Sequence, residues 1–379
     1  MTEALLALNA GSSSVKFAVC EAGQDGHVAL SGNVDRIGSD NAVMNVTARG
    51  GGRETRALGT ADHRAALSTL CTEIRSRLPG LRIGGVAHRI LHGGAAFADP
   101  VRVTPDVIEA LEAIVPLAPL HQPHGIQGIL TGLALYPAAV HVACFDTAFH
   151  AGKPWVKDAF ALPRSYHDRG LRRYGFHGLA CASICDALRV DGYPLSERAI
   201  AIAHLDNGCS VTAVRQGRSV ATSMGFSALD GLTMGTRCGR IDPGALLHLM
   251  REGHDAEALE VLLYKQSGLL GLSGISNDMR DLAESDAPEA HQAIQYFIAR
   301  AVEEICGMAG AMGGLDAVVF SGGIGENARD IREAIMAGLA FLPGQDGQGV
   351  EKLVMPADEE RQLLMAAGQA VVTRRAEPA

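Results

Sequence analysis

Three turns in this chain are made of the residue types that hold phosphate. Asn9-Ala10-Gly11-Ser12-Ser13-Ser14-Val15-Lys16 ends an apolar run in small residues. Their N–H groups and hydroxyls can surround phosphate oxygens, with a cation close behind. This is not the GxxxxGK[ST] P-loop, because the segment after Ser14 continues as a strand instead of opening a helix. Ile202-Ala203-His204-Leu205-Asp206-Asn207-Gly208-Cys209-Ser210 is a second strand-turn-strand, with Asn and Gly where left-handed backbone is needed. Phe320-Ser321-Gly322-Gly323-Ile324-Gly325-Glu326-Asn327 runs from a strand into a glycine-rich turn, with a helix expected from Asn327 to about Ala337. A base or ribose can lie against such glycines, and a helix N-terminus favours anions. Taken singly, the first two are equally plain hairpins, and the third is equally tight strand-helix packing.

Three further stretches concentrate His, Arg and Asp: His88-Arg89-Ile90-Leu91-His92-Gly93-Gly94, Leu120-His121-Gln122-Pro123-His124, and Phe145-Asp146-Thr147-Ala148-Phe149-His150. Arginine is the natural partner of carboxylate and phosphoryl oxygens, because its planar fork makes bidentate, permanently charged hydrogen bonds. Arg237, in Met234-Gly235-Thr236-Arg237, is a second candidate. A zinc site from His177, Cys181 and Cys185 fails on geometry. The i to i+8 reach along a rigid helix is about 12 Å, too wide for one ion.

The elements that position these groups alternate along the chain. Strand-like runs are read at Leu5 to Leu8, Val15 to Val19, Val86 to Leu91, Val140 to Phe145, Ile200 to Leu205 and Ala317 to Phe320, with helical patterns between them. That alternation predicts an α/β architecture. Thr104-Pro105-Asp106 opens a helix with Val107, Ile108, Leu111, Ile114 and Val115 on one face, and a longer helix is expected from Pro288 to Met312. The stretch from Met355 to Val372 reads as a helix able to return to the first half. LeuAsnAlaGlySerSer at 8 to 13 and LeuAspAsnGlyCysSer at 205 to 210 each join two strands through a glycine-centred turn, which suggests two related halves. The expected domains are residues 1–149 with 361–379, and residues 150–360.

The 379 residues are 47% hydrophobic with a formal net charge of -9. That balance argues against nucleic acid as a partner. No apolar stretch is long enough for a bilayer, and MTEALLALNAGSSS has no basic segment followed by a cleavage site. The eight Cys are scattered in apolar segments such as Val142 to Phe145, as expected of reduced thiols. These features predict a soluble, cytoplasmic protein without a membrane partner.

In order, NAGSSSVKF, HRILHGG, PLHQPH, FDTAFH, RRYGFHG, AHLDNG, MGTR and GGIGEN resemble the acetate kinase family over residues 4 to about 372. The resemblance implies two domains of duplicated ribonuclease-H-like topology, the actin-like ATPase fold, with the nucleotide in the interdomain cleft. It implies a homodimer that transfers the γ-phosphoryl group of ATP reversibly and in line to acetate, giving acetyl phosphate and ADP. Mg2+ is the implied cofactor, with Mn2+ as an alternative.

Carried over motif by motif, Arg89 and Arg237 would hold the acetate carboxylate and stabilise the transferring phosphoryl group. His177 would hydrogen-bond that group, His121 would assist, and Asp146 would orient the arginines or a water on the magnesium. Asn9 and Glu359 would help to bind the metal, with Glu360 as an alternative to Glu359. The first phosphate turn would use Ser12, Ser14 and Lys16, and the second His204, Leu205, Asp206, Asn207 and Gly208. Asp278, Met279 and Arg280, with Gly323, Ile324, Gly325, Glu326 and Asn327, would line the adenosine site. Leu91, Leu120, Phe176 and Ala228 would surround the acyl methyl group.

The chain departs from the family pattern at several of these places. Leu91 replaces the common Val, and Ala228 the common Pro, which reshapes the acyl pocket and leaves propionate as an alternative substrate. Asp206 stands at a usual Gly and Arg240 at a usual Asp, and the two opposite changes suggest a mutual salt bridge. Leu179-Ala180-Cys181 replaces a usual Thr-Ser-His behind His177. From another functional class, a nucleotide-driven binding protein or a degenerate scaffold would use ATP without an acyl acceptor. Arg89, Arg237, His121 and His177 together argue for the acceptor.

Overall fold

The computed structural model describes residues 2–11, 13–23, 27–119, 121–344 and 347–376. The chain forms two compact units, Met1–Ala148 with Asp358–Ala379, and Phe149–Ala357.

The first unit carries strands β1 (Thr2–Ala10), β2 (Ser14–Glu21), β3 (Val28–Asp35), β4 (Ala42–Ala48), β5 (Arg53–Gly59), β6 (Leu81–Ile90), β7 (Val101–Arg102) and β8 (Val140–Phe145). They make one sheet in the order β5-β4-β3-β2-β1-β6-β8-β7. Every residue of β8 is buried, because a parallel strand covered on both faces has no solvent side to alternate with. Leu6 and Leu8 pack with Leu67, Leu70 and Ile74 of the helix His63–Arg77. Leu5, on the opposite face, lies under Gly368 of the C-terminal helix Glu359–Ala376. That helix runs along β1, β6 and β8.

The second unit carries β9 (Ala199–Leu205), β10 (Cys209–Arg215), β11 (Arg218–Thr222), β12 (Ala317–Ser321) and β13 (Glu351–Val354), ordered β11-β10-β9-β12-β13. The expected long helix spans Pro288–Met312, and Ala293, Phe297, Ala301, Ile305 and Met308 form its buried stripe. Gly313, left-handed at φ 75, ends it.

The five strands β3-β2-β1-β6-β8 repeat the pattern of β11-β10-β9-β12-β13. In each set the first three strands are antiparallel and the next two are added in parallel. The two similar sequence turns occupy the same place in each repeat, closing at Ala10–Val15 and at Leu205–Cys209. Internal duplication is therefore present at the level of topology.

One element differs from expectation. Helix begins directly after β12, at Gly322–Asn327, pauses at Ala328 and resumes at Arg329–Gly338. Gly322 permits this with φ +79, where a side chain would stand 2.7 Å from the Leu205 carbonyl. The Glu326 carboxylate accepts the Gly322 N–H at 3.0 Å and satisfies the first turn from within.

Candidate active site

In the first unit, Asn9 lies next to last on β1, Arg89 next to last on β6, and Asp146 follows β8. These are the carboxyl ends of three neighbouring strands, where open α/β sheets bind ligands. Arg89 donates from Nε to Asp146 Oδ1 at 2.9 Å and from Nη2 to Oδ2 at 2.5 Å, a bidentate pair. Its Nη1 donates to Asn9 Oδ1 at 3.1 Å, and Asn9 Nδ2 donates to Glu359 Oε2 at 3.1 Å. Glu359 Oε2 also stands 3.6 Å from Arg89 Nε. Burial pushes the Asp146 carboxyl upward, and the Arg89 fork opposes it. Burial works against the Arg89 charge too, but Asp146 and Glu359 outweigh it and keep the guanidinium firmly protonated.

The alternative Glu360 lines a polar groove with Lys16, Asn33, Asn45 and Asp358. Burial, then the neighbouring Glu359, pushes the Glu360 carboxyl up. Ser14 opens β2. His121 is the N-cap residue of the helix Gln122–Leu135, and Leu91 follows β6, partly buried. Ser12 and Leu120 lie outside the described residues.

Two supports here had no sequence signal of their own. Gln122 exchanges hydrogen bonds with the backbone of His92, at 3.2 and 2.9 Å, and Thr147 accepts the Gly93 N–H at 3.0 Å. They brace the loop beyond Leu91 from partners 30 and 54 residues away.

In the second unit, His177 caps the helix Gly178–Val190 in the left-handed region, φ 58. Such a backbone costs a non-glycine residue about 1 to 3 kcal/mol, a strain found where function fixes a side chain. Its Nδ1 lies 3.0 Å from the Ser210 hydroxyl, and its ring lies 4.8 Å from that of His204. A Cβ on Gly208 would stand 3.2 Å from Arg237 Nη2 and 3.3 Å from His177 Nε2. Gly208 is therefore the close backbone floor beneath an arginine and a histidine.

Arg237 donates from Nη1 to the Ala228 carbonyl at 2.9 Å, and among the described residues no carboxylate pairs with it. Burial lowers its pKa. Its loop is tied to the second phosphate turn by the Gly235 N–H, which donates to Asn207 O at 3.3 Å. Phe176 is fully buried, and His150 Nε2–H donates to its carbonyl at 2.8 Å. Ala228 is also buried.

The second and third turns meet: a Cβ on Gly323 would lie 3.2 Å from Asp206 Oδ1. Leu205 is buried beneath them and Ile324 half-buried, while Asn327 Nδ2 donates to Gly323 O at 2.9 Å. A Cβ on Gly325 would lie 3.6 Å from the Ala203 carbonyl. Asp278 caps the short helix Met279–Ala283 and pairs with the exposed Arg280 at 2.5 Å, which holds its carboxyl at about 2. Met279 is buried.

The expected Asp206–Arg240 salt bridge is not formed. Asp206 Oδ1 instead accepts the N–H of Asn207 at 2.8 Å, and Arg240 pairs with Glu304 of the long helix at 2.7 Å. The turn spends the carboxylate locally, while the nearly buried Glu304 recruits the arginine. Burial pushes the Glu304 carboxyl up and Arg240 opposes this. Arg240→Asp is therefore expected to destabilise the protein by about 1 to 3 kcal/mol near neutral pH. That is less than the 3 to 5 of a fully buried pair, because Arg240 is mostly exposed. A carboxyl raised in the folded state binds its proton more tightly there, so the deficit must shrink as pH falls towards about 5. Urea unfolding at both pH values reads this, and an equal deficit at both would refute the pairing's importance.

The acetokinase family matches residues 4–372. An acetate kinase of Methylocella silvestris is 43% identical over 354 residues, covering 90% of this chain and 88% of that protein. One of Rhodopseudomonas palustris is 46% identical over 349 residues, covering 90% and 87%. Among solved structures, Porphyromonas gingivalis acetate kinase superposes with TM-score 0.85 at 31% identity, covering 97% of this chain and 100% of that one. A propionate kinase from Francisella tularensis superposes with TM-score 0.87 at 32% identity, covering 97% and 99%. On sequence, topology and these likenesses together, the chain belongs to the acetokinase family.

Proposed function

We propose that this protein is an ATP:acetate phosphotransferase that forms acetyl phosphate and ADP by direct in-line transfer. The observation that carries the proposal is Arg237, a partly buried guanidinium without a carboxylate partner among the described residues, set with His177 against the bare backbone of Gly208. A desolvated cation with a spare fork is an anion site, and phosphoryl transfer asks chiefly for alignment and charge neutralisation. In this reading the first unit supplies the acceptor side. Arg89, oriented by Asp146, meets the acetate carboxylate, and His121 and Leu91 lie at the ends of the flanking elements. The second unit supplies the donor side. His177 donates to an equatorial oxygen of the phosphoryl group, Gly208 and Asn207 approach the polyphosphate, and the turn at Gly323 receives the adenosine. Acetate arrives ionised, so no general base is needed.

The donor chemistry of Asn9 and Glu359 fits magnesium. An amide oxygen and a carboxylate are hard ligands, and this ion keeps several waters and phosphate oxygens besides one or two protein groups. When bound, it would neutralise polyphosphate charge. Its resemblance to the family supports a homodimer, as do the exposed Leu247, Met250, Leu272 and Ile275 of the second unit. A cytoplasmic location is supported by the setting of the eight cysteines, six of them buried, as expected of reduced thiols.

Leu91 and Ala228, together with the propionate kinase likeness, favour a second reading in which propionate is also used. A methylene in an apolar pocket is worth about 1 to 3 kcal/mol, so kcat/KM for acetate is expected to exceed that for propionate by about 10 to 200-fold, with butyrate lower still. The hydroxamate assay with each carboxylate measures this. A preference for propionate would move the acyl assignment, and no product with any of them would end the kinase reading.

A further inference from the structure

His63, at the start of the helix His63–Arg77, reaches the turn between β1 and β2. Its Nε2–H donates to the Gly11 carbonyl at 2.7 Å, across 52 residues of sequence. The ring of His124 stacks on it, with centroids 4.8 Å apart and planes 23° apart. Burial, then the neighbouring His63, holds His124 below the ordinary imidazole range, which favours a neutral His124 ring in the stack.

Other carbonyls of this turn are also engaged. Ser13 O accepts the Ile37 N–H at 2.9 Å, and Ser14 O accepts the Gly11 N–H at 2.8 Å. A turn that binds an anion must offer N–H groups and hydroxyls while its carbonyl lone pairs face elsewhere. Backbone donors do this for Ser13 and Ser14. For Gly11, whose backbone has the widest rotational freedom, a side chain does it.

We propose that His63 is a positioning residue for the first phosphate turn: it pins the Gly11 carbonyl away from bound polyphosphate, and His124 fixes its ring. This rests on the reading of the Asn9 to Lys16 turn as a phosphate holder. No catalytic step passes through either histidine.

The test is calorimetric titration of the full-length protein with ATP and magnesium in the absence of acyl acceptor, and separately with adenosine. His63→Ala is expected to weaken ATP binding about tenfold, equivalent to about 1.4 kcal/mol, and to leave adenosine binding within about twofold. His63→Gln, whose amide N–H reaches the same carbonyl, is expected to restore most of the loss. Unchanged ATP affinity in His63→Ala, equal losses for ATP and adenosine, or no rescue by Gln each overturns the inference. Ser14→Ala separates the two levels. If it weakens ATP binding and His63→Ala does not, only the role of His63 fails; if Ser14→Ala also binds ATP normally, the phosphate-turn reading falls and takes this inference with it.

Discussion

Arg89→Ala is expected to lower kcat about a thousandfold and, in the same protein, to cost about 3 kcal/mol of stability. Both effects come from one geometry. The N–H groups of Arg89 not taken by Asp146 and Asn9, one each on Nη1 and Nη2, are the donors left to meet a carboxylate or phosphoryl oxygen, while its Nε and Nη2 are the bidentate partner of Asp146, whose side chain is 0% exposed. Without the arginine, Asp146 is a buried carboxylate with its main compensation removed. Burial already raises this group, and losing the opposing charge raises it further above its unfolded value. Stability must then fall as pH rises through that window, so the defect is largest near neutrality and shrinks in acid. Arg89→Lys keeps a charge but not the fork, and is expected to fall between wild type and Ala in both respects. Arg89→Ala with Asp146→Ala should recover stability and not turnover. Steady-state hydroxamate kinetics and urea unfolding separate the two quantities. A variant that turns over normally would remove Arg89 from the acceptor site.

Sequence could reveal the carboxyl ends of these strands but not which side chains would join there. The buried runs of β1, β6, β8, β9 and β12 are apolar enough to read directly, because a strand covered on both faces needs no polar residues. β3, β4 and β5 carry no such signal, because their mixed residues, such as ValAlaLeuSerGlyAsnValAsp, match neither a continuous nor a strictly alternating pattern. The repeat was visible only in its turns, since two copies of a topology can share strand order with little sequence in common. Glu359 and Glu360 are adjacent and chemically identical in sequence, and what distinguishes them is their surroundings in the fold: Asn9 donates to Glu359 at 3.1 Å, while Glu360 lines the groove with Lys16. The charge change at Arg240 suggested Asp206 as a partner, whereas Glu304 lay 64 positions along in a helix read solely for its apolar stripe. Long-range polar pairing leaves no local periodicity to read.

Arg237 is expected to behave in the opposite way to Arg89, and the contrast tests the division of labour between the two arginines. Arg237→Met should also lower kcat about a thousandfold, because a cation facing developing negative charge in a dry site is worth several kcal/mol in the transition state. Yet the resting protein should keep its stability or gain some. In the wild type this guanidinium is largely withdrawn from water, its pKa lowered by desolvation, and its hydrogen-bond partner is the neutral carbonyl of Ala228. An apolar chain of similar volume removes the cost of a poorly compensated charge, which is commonly neutral or stabilising by about 1 to 4 kcal/mol. Part of that gain is offset by leaving the Ala228 carbonyl without its donor, about 1 to 3 kcal/mol. The net expectation is a urea midpoint no lower than wild type with activity almost abolished. If Arg237→Met unfolds as readily as Arg89→Ala, then Arg237 is a structural cation after all. A site that stores an unpaired charge until its anion arrives gives up resting stability for binding in the transition state, and only the loss of turnover without loss of stability is consistent with that arrangement.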